Sequence, residues 1–359
     1  MLMARWLWAR RTLPARLVRL ALLPPSLMYR AVMAARARAY AGRLFPQGVP
    51  SVPTIAVGNL TVGGSGKTPI AAWIARYYAG HGLVPGVVLR GYGGDEGDVH
   101  RVLVREAVVV ENPDRLEGAA QAVRDGAEVI VLDDAFQRLD VGRDLNIAVM
   151  SAESGRAVRW TLPAGPWREG WRALKRADLL VITRKRAGLD DALQLARRAA
   201  RFAPGAGVAI ARLGITEFRR LLSGKPVAPD AFLGARVVAA AGIADPATFG
   251  AQCREMGARV RLIQWRDHHR LSADDVRRLL QAVGTVDYVV LTEKDAVKLR
   301  RLWPVQAPEP LVATLDVRWE RGQALVERAL DAAVSDVDEL LSNGDAHDGP
   351  KGSQTRTHD

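Results

Sequence analysis

Acidic residues are absent from the first quarter of this 359-residue sequence: no Asp or Glu precedes Asp95. That stretch holds nine arginines before Pro46, then Lys67, Arg76 and Arg90, and these twelve cations equal the whole formal net charge of +12. From Asp95 onward the two signs balance, so the chain is a neutral body with a basic front. Its high isoelectric point is therefore not the mark of one broad nucleic-acid-binding surface. Cysteine is almost missing too. Cys253 alone supplies neither an internal disulfide nor a Cys-rich zinc site, and a reducing compartment is expected. Long apolar runs are also lacking at the front, where the longest arginine-free stretch, residues 20–29, is too short to span a bilayer and is broken by Pro24-Pro25. A secretory signal is not expected, because Arg16 and Arg19 interrupt the leucines. The remaining composition, 48% hydrophobic and 25% charged, is that of a globular protein, and the length suggests two domains.

Within residues 1–45, Leu13, Leu17 and Leu20 share one helical face among the arginines, with Trp6 and Trp8 nearby. Such a helix suits a membrane interface, with arginine stems snorkelling and each cation adding about 1 kcal/mol near an anionic leaflet. The same pattern also suits a helix packed on the protein's own core, and an RNA-binding arm is a weaker third reading.

Residues 54–57 form an apolar strand pattern that leads into Gly58-Asn59-Leu60-Thr61-Val62-Gly63-Gly64-Ser65-Gly66-Lys67-Thr68-Pro69 and then a helical stretch. Strand, glycine loop and helix are the setting of a phosphate-binding loop over residues 61–68. Backbone N–H groups and the helix N-terminus face the phosphates, Lys67 reaches the outer ones, and the Thr68 hydroxyl ligates Mg²⁺. Thr61 stands where the strict pattern has its first glycine, with Val62, Gly63, Gly64, Ser65 and Gly66 completing the loop. A second apolar strand, residues 129–132, ends in Asp133-Asp134, which suits a carboxylate pair holding Mg²⁺ directly or through water. Which carboxylate does which is open. Together these elements imply hydrolysis or transfer of a nucleotide phosphate.

The phosphate loop closely resembles that of the tetraacyldisaccharide 4′-kinases, the lipid A 4′-kinases of Gram-negative bacteria, whose loop also carries Thr for the first glycine. Further matches follow in the family's order: Leu89-Arg90-Gly91-Tyr92-Gly93-Gly94, Leu132-Asp133-Asp134-Ala135-Phe136-Gln137, Leu162-Pro163-Ala164-Gly165-Pro166-Trp167-Arg168-Glu169, Ala241-Gly242-Ile243, Asp267-His268-His269 and Thr292-Glu293-Lys294-Asp295. The resemblance spans roughly residues 10–330. It implies transfer of the ATP γ-phosphate to the 4′-hydroxyl of lipid A disaccharide 1-phosphate, with ATP and Mg²⁺, peripherally at the cytoplasmic face of the inner membrane. An anionic membrane surface then becomes the expected partner of residues 1–45, with no nucleic acid and a monomeric protein.

The family's candidate base is an Asp in a Gly-Asp-Glu-Pro motif, paired with a His of the Asp-His-His motif. By that resemblance the catalytic group is Asp95, His268 and Lys67, with Asp98 a competing base. Gly97 replaces the family's proline, the loop after Gly94 is shortened, and Arg138 stands where the family has a histidine after Gln137. A sugar hydroxyl is a weak nucleophile, so a carboxylate accepting its proton contributes ~10²–10⁴-fold. Thr292-Glu293-Lys294-Asp295 resembles a base-recognition loop, and equally suits a helix start capped by Thr292.

Strand patterns near 54–57, 86–89, 108–110, 129–132, 146–149 and 179–183 alternate with helices, which predicts a doubly wound, mostly parallel α/β core over residues 46–205. A second set near 208–212, 236–241, 259–263, 288–291 and 311–315 predicts a smaller α/β domain, residues 206–330, closing the active-site cleft. Residues 331–359 read as a disordered tail. A membrane-peripheral GTPase or assembly ATPase acting as a switch carries the same phosphate loop and is the main rival.

Overall fold

A computed structural model describes residues 7–8, 12–91, 96–154, 160–267 and 269–344. Two helices, α1 (Leu13–Ala21) and α2 (Leu23–Ala41), precede the sheet, each with proline in its first turn, where the missing N–H costs nothing. Each buries one small side chain, Ala15 on α1 and Ser26 on α2, and Ser26 makes the polar anchor. The Ser26 hydroxyl donates to the Thr161 carbonyl and accepts from the Ala164 N–H, while the Thr161 hydroxyl donates to the Ser26 carbonyl. Arg36 adds a hydrogen bond to the Gln137 carbonyl.

The chain then alternates strand and helix: β1 (Thr54–Gly58), α3 (Lys67–Gly80), β2 (Pro85–Leu89), α4 (Glu96–Leu103), β3 (Val108–Glu111), α5 (Arg115–Arg124), β4 (Val129–Asp133), β5 (Leu145–Ser151), β6 (Leu179–Arg184) and α6 (Leu189–Ala200). These strands lie in the order β3-β2-β4-β1-β5-β6, all parallel. Both faces are covered by helices, so the strands are largely apolar and alternate residues feed different cores. Ile55 and Val57 pack with Ile70, Ile74 and Tyr78 of α3, whereas Ala56 packs with Ala119 and Ala122 of α5.

The second set comprises β7 (Gly207–Arg220), β8 (Pro226–Val227), β9 (Arg236–Ala241), α7 (Pro246–Glu255), β10 (Arg259–Gln264), α8 (Ala273–Val283), β11 (Tyr288–Thr292), α9 (Glu293–Arg300), β12 (Leu311–Arg321) and α10 (Gln323–Gly344). The two sets join in one twelve-stranded mixed sheet, β10-β9-β11-β12-β7-β6 and onward, with β8 beside β7. Strands β7 and β12 are much longer than the sequence suggests, and they pair antiparallel. Consequently β9, β10 and β11 run opposite to β1–β6, and the carboxyl ends of the two parallel groups point at each other. The level of Arg184 is set by Arg212 on β7, and that of Thr292 by Phe218, through Ala313. The stretch of β7 between Arg212 and Phe218 spans roughly 20 Å at about 3.3 Å per residue. That gap is the cleft, floored by Ile215, Ala313 and Leu315.

Helix α10 runs into the segment read as a disordered tail. Val326, Leu330 and Ala333 are buried in the same core as α3, and this apolar stripe carries the helix on; residues 345–359 lie outside the described residues.

Gly58 ends β1 where the chain meets the segment after β4. A Cβ there would stand 2.4 Å from the Phe136 backbone N and 2.6 Å from its Cβ. Gly58→Ala should therefore destabilise the fold by ~1–3 kcal/mol through overpacking. A lowered urea midpoint at unchanged m-value checks this, and an unaltered midpoint contradicts it.

Candidate active site

The phosphate loop and the acidic pair meet because β1 and β4 are neighbours, with Val57 in register with Asp133. The loop therefore leaves β1 directly beside the two carboxylates. Gly66 caps α3 at φ +88°, and a Cβ would meet Leu213 at 2.4 Å, so only glycine fits. The loop is fastened from below: Asn59 Nδ2 donates to Ser65 Oγ (2.7 Å), and Thr183 Oγ1 donates to the Ser65 carbonyl (2.7 Å). Residues 62–68 all line a cleft of about 590 Å³.

The two carboxylates have different partners. Asp133, nearly buried, accepts from the Thr68 hydroxyl (3.1 Å) and from His100 Nε2 (3.0 Å) at Oδ2, and from the Asp134 N–H at Oδ1. Burial alone would raise its carboxyl, but the hydrogen bond from His100, the Lys67 ammonium and the Thr68 hydroxyl hold it below its ordinary value. Asp134 sits at φ +53°, a left-handed conformation uncommon outside glycine. There Arg168 Nη1 reaches both of its oxygens (2.8 and 2.9 Å) and Lys67 Nζ lies 3.5 Å from Oδ1. Strain of this kind gathers at functional sites.

Around this centre stand groups whose roles the sequence does not announce. Arg115 is buried and donates to the carbonyls of Asn112 and Asp133; burial, reinforced by Arg138, pushes its guanidinium down to about 10. Gln137 Nε2 donates to the Asn59 carbonyl (2.5 Å) while its Oε1 accepts from Arg168 (3.4 Å), so it links the loop to the arginine. Lys185, after β6, lines the cleft and is pushed down by burial. Its loop is shaped by Glu153, which accepts backbone N–H groups from Lys185, Arg186 and Ala187; burial opposes ionisation, yet these bonds and Ser151 hold its carboxyl at about 2. Trp8 also lines the cleft, its indole N–H on the Pro163 carbonyl.

The opposite wall comes from the second strand set. Ile243, Ala244, Asp245, Asp267 and Thr292–Lys294 face the phosphate loop, and Lys294 pairs with Asp267 at 3.3 Å. The capped-helix reading of this segment is realised: Thr292 Oγ1 accepts from the Asp295 N–H, and Asp295 is buried, accepting from Thr292 Oγ1 and the Gly242 N–H. The cleft thus brings together Thr68, Lys67, Asp133 and Asp134. Asp95 and His268 lie outside the described residues, although α4 begins at Glu96, and Asp267 and His269 are placed. Asp98, the competing base, is bound to Arg101 at 2.8 Å and does not line the cleft. His100 and Arg168 escaped functional reading because neither carries a signature: they reach Asp133 and Asp134 from 33 and 34 residues away. Arg168 does lie within the 162–169 motif, which carries no phosphate-site pattern of its own.

Comparison with known proteins gives a consistent result. Residues 18–335 match the family described as Tetraacyldisaccharide-1-P 4'-kinase. The tetraacyldisaccharide 4'-kinase of Anaeromyxobacter sp. (strain Fw109-5) is 34% identical over 363 residues, covering 93% of this chain and 96% of the relative. That of Geobacter metallireducens is 37% identical over 302 residues, covering 76% and 86%. Among solved structures, LpxK from Aquifex aeolicus in complex with ATP has the same fold, with a TM-score of 0.70 at 23% identity over 88% of this chain and 99% of that one.

At the cleft wall, Glu293 is pushed from 4.5 up to about 8, chiefly by burial, against the opposing Arg76 and hydrogen bonds at Thr314 and Leu315. An acid raised on folding binds its proton more tightly in the native state. Its stabilisation is complete below about pH 4.5 and is lost as pH rises towards 8. Glu293→Gln should flatten that fall. Urea midpoints at pH 6 and pH ~8.5 should converge relative to wild type; an equally steep fall in the variant would refute the assignment.

Proposed function

The chain belongs to the tetraacyldisaccharide-1-P 4'-kinase family, an ATP-dependent phosphotransferase family of lipid A biosynthesis, and on that footing we propose how its cleft performs the transfer. The observation that carries the reading is the single cleft in which Lys67, Thr68, Asp133, Asp134 and Arg168 face the 243–245, 267 and 292–294 segments. The enzyme transfers the ATP γ-phosphate to the 4′-hydroxyl of a tetraacyldisaccharide 1-phosphate.

The phosphate loop holds the nucleotide, its N–H groups and the α3 N-terminus facing the anion. The donors present suit Mg²⁺. Thr68 and Asp133, which are hydrogen-bonded to each other, would hold the ion through a hydroxyl and a carboxylate. When bound, the ion neutralises charge on the phosphates. Asp134 serves mainly to align Lys67 and Arg168, whose cations then meet the transferring group. The 4′-oxygen forms a bond to the γ-phosphorus as the bond from phosphorus to the β–γ bridging oxygen breaks. The hydroxyl proton passes to Asp95, which His268 orients, and ADP leaves. The unit 206–330 closes over the nucleotide and so excludes water.

The acceptor enters from the side of Trp8, along α1 and α2. There Leu13, Leu17 and Leu20 are 69%, 58% and 63% exposed, among arginines, as a helix pair lying in an anionic leaflet requires. No single described helix is long and apolar enough to cross a membrane; the α1–α2 pair, bent by 50°, passes that test only when taken together. A peripheral site on the inner membrane's cytoplasmic face follows from this reading.

Incubation with γ-labelled ATP, Mg²⁺ and lipid A disaccharide 1-phosphate should label the lipid. Asp95→Ala and His268→Ala should each lower kcat by ~10²–10⁴-fold with smaller effects on KM, and non-additively when combined. Near-wild-type kcat in both variants would remove them from the mechanism. Leu17→Ser with Leu20→Ser should weaken sedimentation with anionic vesicles while leaving ATP binding intact; unchanged sedimentation would overturn the membrane assignment.

A further inference from the structure

His100 is a fully buried imidazole on α4 whose Nε2 lies 3.0 Å from Asp133 Oδ2. A carboxylate only accepts, so Nε2 carries the proton and donates. Nδ1 finds no hydrogen-bond partner among the described residues. A leucine would fill such a position without burying an unmatched polar atom, so space-filling does not account for histidine here. What it supplies is a donor aimed at one oxygen of one carboxylate. That oxygen is shared with the Thr68 hydroxyl, and the other oxygen is held by the Asp134 N–H. With His100 in place the Asp133 carboxylate is fixed at both oxygens.

The bond also reaches across elements. Helix α4 forms one wall of the cleft through Glu96, Val99 and Leu103, and it lies against both α3 and α9. Asp133 ends β4, beside the phosphate loop. One side chain therefore ties the wall that begins one residue after Asp95 to the carboxylate that meets Thr68.

We infer that His100 is a positioning residue for the transfer: its Nε2–H sets the orientation in which Asp133 engages Thr68 and the divalent cation, and pins α4 to β4 beside them. Its side chain is buried and does not line the cleft. The inference rests on the metal-side reading of Thr68 and Asp133, and it concerns the donor, not the ring's bulk. Partners that orient a ligating group typically contribute 10–100-fold in metal affinity or activity.

The test compares His100→Leu, which removes the donor, with His100→Gln, whose side-chain N–H₂ restores one. Mn²⁺ is titrated into each protein with the β,γ-imido analogue of ATP and followed by electron paramagnetic resonance. Kinase turnover and thermal midpoints are measured in parallel. For His100→Leu the expected result is Mn²⁺ affinity and kcat each lower by roughly 10–100-fold, with KM for the lipid within about twofold, and His100→Gln recovering most of both. If folded His100→Leu keeps Mn²⁺ affinity and kcat within about twofold of wild type, the inference is overturned. Equal impairment of both folded variants also overturns it, since the ring and not its donor would then matter. Should His100→Leu fail to fold, the decision falls to His100→Gln, which must retain most of the wild-type Mn²⁺ affinity. Lipid labelling by the wild-type protein is scored separately, so failure of the kinase reading leaves the Mn²⁺ comparison intact.

Discussion

Strands β7 and β12 decide what the rest of this structure can do. In an ordinary doubly wound sheet, loops at the strands' carboxyl ends face solvent, and a ligand bound there is covered on one side. Here β7 leaves the first parallel group, runs past the end of β6 and pairs antiparallel with β12. The second group is thereby reversed, and its carboxyl ends confront those of the first. Every segment that lines the cleft from the second half, from Ile243 to Lys294, owes its position to that reversal. Phosphoryl transfer depends on placement and exclusion of water more than on covalent chemistry, and two facing rows of loops provide for both.

Within the cleft, two adjacent carboxylates are kept from acting as one. Neighbouring acids repel, and a shared environment would push one towards protonation. The left-handed turn at Asp134 separates them, with Lys67 and Arg168 on one and Thr68 and His100 on the other. Each acid thus has its own hydrogen-bonding partners. The arrangement gives the cleft one side with two cations, Lys67 and Arg168, and another with the Thr68 hydroxyl and the Asp133 carboxylate.

The basic front of the chain divides in a similar way. Arg36 is committed to the protein, bonded to the Gln137 carbonyl and 3.9 Å from Asp140. The Ser26 cluster fixes the helix pair with little apolar burial, which leaves Leu13, Leu17 and Leu20 outward. A pair packed for stability alone would have buried them.

Much of this was legible because it is local. The apolar strand runs, the glycines of the loop from Gly63 to Gly66, and Asp133-Asp134 after a strand are contiguous patterns, and among the described residues eleven of the twelve strands lie where hydrophobic periodicity places them. Only the two-residue β8 was missed. The length of β7 and β12 was not legible, because half-buried antiparallel strands carry mixed polarity, as in Arg212, Glu217 and Arg219. Nor was the helix to Gly344, whose stripe of Val326, Leu330 and Ala333 has meaning only against α3. By itself the sequence determined the chemistry available: a phosphate loop, a carboxylate pair, a basic apolar front, and an ordered set of motifs specific to one kinase family. Only the tertiary structure decided which groups meet. His100 with Asp133, Arg168 with Asp134 and Lys294 with Asp267 are joined across the chain by strand order and by the reversal at β7. Side-chain type and local periodicity are written residue by residue, whereas contacts between distant segments depend on the packing of the whole sheet.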